Sequence, residues 1–344
     1  MQAVTYDGAG GVVVRDVPEP TIDEPTDAIV AVRWASVCGT DLHLLDDPAG
    51  LPEGFVMGHE FVGEVVEVGR GVHSVGVGDL VVAGDYTACG SCWFCRRGEH
   101  WHCASRAFFG TGTTFGPALP GGQAELVRVP MADTTLRRIP AGLDPSHAVL
   151  VGDALATGYA AARVCAPLPG DCVAVVGGGP VGQLTALVAQ ALGAGTVVLT
   201  DMDATRRGVA SSLGSVSCSP AEAPDVIIEL TDGRGADSVV DAVGGAAILD
   251  AALPLLRKGG RLVSVGVPRE AAWDLPLTAA FTAGISIDFV VGNMLRDADP
   301  LLAMLGTGLL DPSPLVTTRL PLTRAAEAYS AVRNRTTLKP LIYP

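Results

Sequence analysis

"DCVAVVGGGPVGQLTALVAQALGAGTVVLTD", residues 171–201, is the stretch that decides the fold. Its first apolar run, Cys172 to Val176, has the unbroken hydrophobicity of a strand covered on both faces in a parallel sheet. The run ends in Gly177-Gly178-Gly179-Pro180-Val181-Gly182, a G-x-G-x-x-G turn. An apolar helix from Val181 to Leu192 follows, then a second strand from Thr196 to Thr200, closed by Asp201. Alone, the glycine pattern is weak. Between a strand and a helix, with an acid 19 residues past the last glycine, it points to a dinucleotide site. Gly177, Gly179 and Gly182 let backbone approach a pyrophosphate, and the helix start at Pro180-Val181 meets its charge. Asp201 would accept hydrogen bonds from ribose hydroxyls and repel a 2′-phosphate, which favours NAD over NADP. Arg206 and Arg207 read as solvated helix residues, although an arginine there can tolerate the extra phosphate.

The α/β pattern continues with strand-like segments at 237–244 and 260–267, each ending in glycine, and a helix between them. Residues 284–293 read as the last strand. The first 148 residues differ: they are strand- and loop-rich, punctuated by Gly and Pro, with no long helical period. The expected class is α/β, a Rossmann-type doubly wound parallel sheet plus a β-rich domain. A chain of 344 residues exceeds one hydrophobic core, so two domains are expected. The net charge of −14 repels phosphate backbones and argues against nucleic acid as a partner. No basic-then-apolar leader opens the sequence, and no apolar run reaches the roughly 18 residues of a membrane span. A soluble cytoplasmic protein is the expectation.

Four of the eight cysteines crowd into "CGSCWFCRRGEHWHC", residues 89–103. In a reducing cytosol such clusters are more often metal ligands than disulfides. Cys89, Cys92, Cys95 and Cys103 suit tetrahedral zinc, and four protein ligands leave no position for a substrate, so this site reads as structural. Arg96 and Arg97 would offset the thiolate charge. A Cys3His set through His100 or His102, an iron–sulfur cluster and plain reduced cysteines are the alternatives.

Chemistry must then lie elsewhere. Cys38, in "SVCGTDLHLL", and His59, in "MGHEFVGEVVEVG", can supply a thiolate and an imidazole to a second metal. Taken in order, Cys38-Gly39-Thr40-Asp41, Gly58-His59-Glu60, the four-cysteine loop and the glycine turn resemble the zinc-dependent medium-chain alcohol dehydrogenases over essentially the whole chain. The resemblance implies a distorted-barrel catalytic domain at 1–148, a dinucleotide-binding domain at 149–291 and a return to the first domain at 292–344. It implies a third zinc ligand soon after the first domain, for which Asp153 is the good candidate; a helix N-cap is its alternative role. Glu60 would sit close behind the zinc or swap in as a ligand. Asp41 would accept the free ring N–H of His59. Thr40 would hydrogen-bond the alcohol oxygen, and His43 would pass the proton on, its ordinary pKa near 6.5 suiting that role. Backbone from Val265 to Val267 would meet the nicotinamide carboxamide. A dimer or tetramer pairing its last strand is implied.

The activity implied is hydride transfer between an alcohol or carbonyl and NAD. A polyol or sugar dehydrogenase and a biosynthetic ketone reductase are alternatives on the same fold, and a catalytically idle dinucleotide-binding sensor is one of another class. The stretch "ASRAFFGTGTTFGPALP", residues 104–120, departs from the family pattern; its phenylalanines 108, 109 and 115 line a pocket or pack the loop.

Overall fold

The structure, a computed structural model, describes residues 1–268 and 270–344. It divides into two compact units, one made of Met1–Asp153 with Asn293–Pro344 and the other of Ala154–Gly292. The first break falls five residues later than the expected 148. The reason is local: Val149–Gly152 forms a 3-10 turn that packs on the first unit, where a side chain on Gly152 would meet the Ala83 carbonyl at 2.8 Å. The second break falls one residue after 291.

The inserted unit is a six-stranded parallel sheet. Its order runs Val216–Cys218, Thr196–Thr200, Cys172–Val176, Ala236–Asp241, Leu256–Ser264, Ser286–Phe289. Every neighbouring pair is parallel. The order reverses direction beside Cys172–Val176, which makes a crevice at its carboxyl end. That strand is buried along its length, as its unbroken apolar run requires. The helix Pro180–Ala191 follows the glycine turn, starting one residue earlier than the sequence suggests because Pro at a first helical position is already set for it.

The other unit is built on a seven-stranded sheet in the order Val316–Pro321, Lys339–Tyr343, Ala28–Ser36, Phe61–Val68, Leu80–Ala83, Leu136–Arg138, with Leu126–Val129 also paired to Ala28–Ser36. The strand Lys339–Tyr343 lies antiparallel to Ala28–Ser36, with Leu341 opposite Ser36 and Ile342 opposite Ala35. The C-terminal segment thus belongs to the N-terminal core by direct pairing. Among the described residues no single helix is long and apolar enough to cross a membrane.

Candidate active site

Cys38 sits where the strand Ala28–Ser36 gives way to the helix Gly39–Asp46. Its backbone N–H donates to Asp41 Oδ2 at 2.9 Å, which fixes the turn. His59 and Glu60 immediately precede the strand Phe61–Val68, which pairs with Ala28–Ser36 through Ala35 opposite Phe61. The Ser36 N–H donates to the Glu60 carbonyl at 3.0 Å, so the pairing carries on to the very end of both strands. Gly58 makes the turn before His59 with φ of +93°, and a side chain there would collide with Gln123 at 2.3 Å. Gln123 in turn donates to the Ser36 carbonyl at 2.9 Å and accepts from the Tyr329 hydroxyl at 2.8 Å. Asp153 ends the 3-10 turn Val149–Gly152.

These elements converge three donors. Cys38 Sγ lies 3.4 Å from Asp153 Oδ2, and His59 Nε2 lies 3.5 Å from the same oxygen. Donors bound about 2.0–2.3 Å from one tetrahedral zinc stand about 3.3–3.7 Å apart. His59 Nε2 is buried and makes no hydrogen bond, so it is the ring atom free to bind a metal once deprotonated. The donor set and its spacing therefore fit zinc. No fourth cysteine, histidine or carboxylate joins the group among the described residues. The Asp153 side chain thus turns toward the metal donors.

The supporting residues are buried. Asp41 is fully enclosed and its Oδ1 lies 3.2 Å from His59 Nδ1, in contact but poorly aligned for a strong hydrogen bond. Glu60 is equally enclosed, so neither carboxylate is a surface group. Glu60 Oε2 is ion-paired with the ammonium of Lys339, a residue to which sequence reasoning gave no role. Lys339 Nζ also lies 3.5 Å from the carbonyl of Val37, the residue before Cys38. Its signal was available: the chain has only two lysines, Lys258 and Lys339. Burial opposes the Lys339 charge, but Glu60 outweighs it and holds the ammonium above its usual range. Thr40 Oγ1 stands 3.8 Å from Cys38 Sγ, and His43 is exposed on the same helix.

Without metal, burial and then the Asp153 charge push the Cys38 thiol up. Burial opposes charge on His59, but Asp41 and Asp153 prevail and raise it well above its ordinary value. Asp153 is held below the usual carboxylate range, His59 prevailing over burial. Without metal, burial and the neighbouring charges thus favour the protonated forms of Cys38 and His59 beside an ionised Asp153. Zinc needs the first two deprotonated. Calorimetric reloading of this site at pH 7, in buffers of different ionisation enthalpy, is expected to show net proton release on binding. Affinity should fall as pH drops, since acid favours the protonated donors. Release near zero would contradict these protonation states.

The sulfurs of Cys89, Cys92, Cys95 and Cys103 form a second group. Cys92 and Cys95 are 3.4 Å apart and Cys89 and Cys95 are 3.9 Å apart, near the edge of about 3.8 Å for thiolates on one ion. A multi-iron cluster would spread its ligands further. Backbone N–H groups of Cys92 and Cys95 point at the sulfurs of Cys89 and Cys92. N–H donation from Ser91, against burial, lowers the Cys89 thiol to about 6. His100 is turned to Asn293 at 3.1 Å, away from a ligand role. In the segment 104–120, Phe109 packs edge-on against Phe61 in the core, whereas Phe108 meets His59 at 5.4 Å between ring centres. Phe115 leans on Phe108.

In the other unit, Gly177 has φ of +104° and a side chain on Gly182 would stand 1.8 Å from the Gly177 carbonyl, so both positions require glycine. Gly179 precedes the first two residues of the helix, Pro180 and Val181. Asp201 Oδ2 accepts from the Gly178 N–H at 2.6 Å. Arg206 and Arg207 are not the solvated residues expected. Arg206 is mostly buried against Gly178, with Nη1 3.9 Å from Asp201 Oδ2, and Arg207 Nη1 donates to the carbonyls of Asp201 and Met202. Both are drawn in by the Asp201 turn. The Val265 N–H donates to the Asp241 carbonyl at 2.9 Å, and Val267 is exposed.

Residues 24–141 match the family model of the alcohol dehydrogenase GroES-like domain, and residues 180–305 match that of the zinc-binding dehydrogenases. The chain is 38% identical over 336 residues to a probable zinc-binding alcohol dehydrogenase of Mycobacterium tuberculosis, covering 97% of this chain and 86% of that one. It is 30% identical over 346 residues to a sorbitol dehydrogenase of Halalkalibacterium halodurans, covering 99% and 98%. Among solved structures, the alcohol dehydrogenase TADH from Thermus sp. ATN1 is similar with a TM-score of 0.96 at 37% identity, covering 100% of this chain and 99% of that one.

Proposed function

The chain belongs to the zinc-dependent medium-chain alcohol dehydrogenase family, and on that premise we propose that it interconverts an alcohol and its aldehyde or ketone with NAD as hydride carrier. The observation that carries this reading is the convergence of Cys38 Sγ, His59 Nε2 and Asp153 Oδ2 without a fourth protein donor in the group. A closed set would hold structure only; a three-donor set leaves room for a substrate oxygen. The idle-sensor alternative gives no reason for such a set.

Bound there, zinc supplies a Lewis acid that eases ionisation of an alcohol hydroxyl. The protein does the rest. Cys38, His59 and Asp153 fix the ion, and Asp41 holds the His59 ring from behind. Thr40, two residues from Cys38, accepts a hydrogen bond from the alcohol hydroxyl and passes its own hydroxyl proton on as it takes that one, and exposed His43 hands the proton to solvent. The glycine turn seats the pyrophosphate, and Asp201 receives the ribose hydroxyls once it leaves the Gly178 N–H. Arg206 beside Asp201 moderates the preference for NAD over NADP. The segment Val265 to Val267 meets the carboxamide. The four cysteines hold a second, structural zinc. The chain acts as a homodimer or homotetramer in the cytoplasm.

Alcohols and carbonyls assayed by nicotinamide absorbance test the activity, with about two zinc ions per chain expected. Sorbitol and simple secondary alcohols belong in that panel, since a sorbitol dehydrogenase is among the relatives. Asp201→Asn is expected to raise kcat/KM with NADP relative to NAD by about tenfold, through loss of one repulsive charge. Arg206→Ala should lower that ratio. Unchanged discrimination in both variants would overturn the cofactor assignment.

A further inference from the structure

Gln183 is a buried polar side chain for which the glycine pattern itself makes no demand. It is the fourth residue of the helix Pro180–Ala191 and only 1% exposed. Its amide nitrogen donates twice, to the Gly178 carbonyl at 3.2 Å and to the Arg206 carbonyl at 2.8 Å. Two carbonyl partners decide which end of the amide faces them, since only its NH2 group can donate. Oε1, at the other end, is buried without a partner. Burying an amide with one end unmet is costly, and a leucine or methionine would fill the same helical position without that cost.

What the amide gains is control of one peptide. Gly178 and Gly179 have no Cβ, so the peptide between them rotates at little steric cost. Gln183 holds its carbonyl. The peptide is planar and trans, so the same bond sets the Gly179 N–H on the opposite side. No described residue accepts from that N–H. Pro180 has no N–H of its own, which leaves Gly179 as the donor at the mouth of the helix. The preceding peptide is held separately, by the Gly178 N–H donating to Asp201 Oδ2 at 2.6 Å. Ribose binding at Asp201 would release that second tie, whereas the Gln183 tie stays. Through the Arg206 carbonyl the same amide joins the turn to the helix Ala204–Ser212, which follows Asp201. We propose that Gln183 is a positioning residue for the dinucleotide: it locks the Gly178–Gly179 peptide so that the Gly179 N–H is presented to the pyrophosphate while Asp201 changes partner. Gln183 acts through the glycine turn and not on the reacting atoms. The inference rests on the dinucleotide-binding part of the dehydrogenase reading and deepens it.

The test titrates the full-length, zinc-loaded protein with NADH and, separately, with ADP-ribose, which carries the pyrophosphate but no nicotinamide. Gln183→Met keeps the length of the side chain and donates nothing. It is expected to weaken both ligands by about tenfold, the order of one lost hydrogen bond. Gln183→Glu keeps the shape but sets acceptors against the two carbonyls, and should weaken both ligands at least as far. In turnover, KM for the dinucleotide should rise by a similar factor, while kcat at saturation stays within about twofold and KM for the alcohol does not move. Unfolding midpoints without ligand complete the comparison. A lowered midpoint with unchanged affinity for both ligands would make Gln183 a mere tie between two helices and overturn the proposal. Loss of NADH affinity with ADP-ribose unaffected would overturn it too, by placing the action at the nicotinamide end. A wild type that binds neither ligand would overturn the dinucleotide reading, and this inference with it. A wild type that binds both but turns over no alcohol would overturn the dehydrogenase reading alone, and the titrations would still decide the role of Gln183.

Discussion

A Cys92→Ser variant is expected to lose one zinc ion together with the order of its loop, while Cys38→Ser loses the other ion together with turnover. The difference follows from what else holds each site. The loop 89–103 has almost no core of its own: Trp93 is 56% exposed and Phe94 39%, and only Cys95 and Cys103 are enclosed. The ion must supply the folding energy, on the order of 10 kcal/mol for a structural zinc at neutral pH. Limited proteolysis should therefore cut Cys92→Ser within the loop, and the unfolding midpoint should drop. Cys38 instead sits at the end of a buried strand whose register is set by Ala35, Phe61 and Ile342. The sheet persists without the ion, so Cys38→Ser should keep the wild-type midpoint within a few degrees. Its turnover should fall by about a thousandfold or more, several kcal/mol of lost transition-state stabilisation. Two variants that both merely unfold, or a Cys38→Ser enzyme that keeps its rate, would refute this division.

The second large effect concerns Lys339. Replacing it with methionine leaves Glu60 buried without its counterion, which should destabilise the unit by about 3–5 kcal/mol in denaturant unfolding. The double variant Glu60→Gln/Lys339→Met removes both charges and should recover most of that loss. The comparison isolates the pair: equal losses in the single and double variants would mean that packing of the lysine stem, and not charge compensation, is what matters. The pair abuts His59 through the chain, so the single variant should also bind zinc with altered affinity.

Those two predictions draw on different amounts of sequence information. The nucleotide-binding unit was legible because its signals are local: the strand Cys172–Val176, the glycine turn and Thr196–Thr200 are continuous text with distinct periods. The four cysteines were legible for the same reason. Cys38 and His59 were readable only as members of an ordered set, since a single cysteine or histidine on a strand usually just packs. Lys339 escaped notice because its meaning comes from its ion pair with Glu60, 279 residues away in sequence. Arg206 was misjudged for a related reason. Helix periodicity says which face a side chain occupies, but not that the Asp201 turn would curl the guanidinium back over Gly178.

The pairing of Lys339–Tyr343 with Ala28–Ser36 also sets a timetable for biosynthesis. As the ribosome extends the chain, the inserted sheet is complete once Gly292 has cleared the exit tunnel and can close on its own short-range contacts. The segment bearing Cys38, His59 and Glu60 has been outside far longer, yet it must wait for the strand Lys339–Tyr343 before the Glu60 carboxylate meets its counterion. Until then the nascent polypeptide exposes an unpaired strand flank and an unneutralised acid.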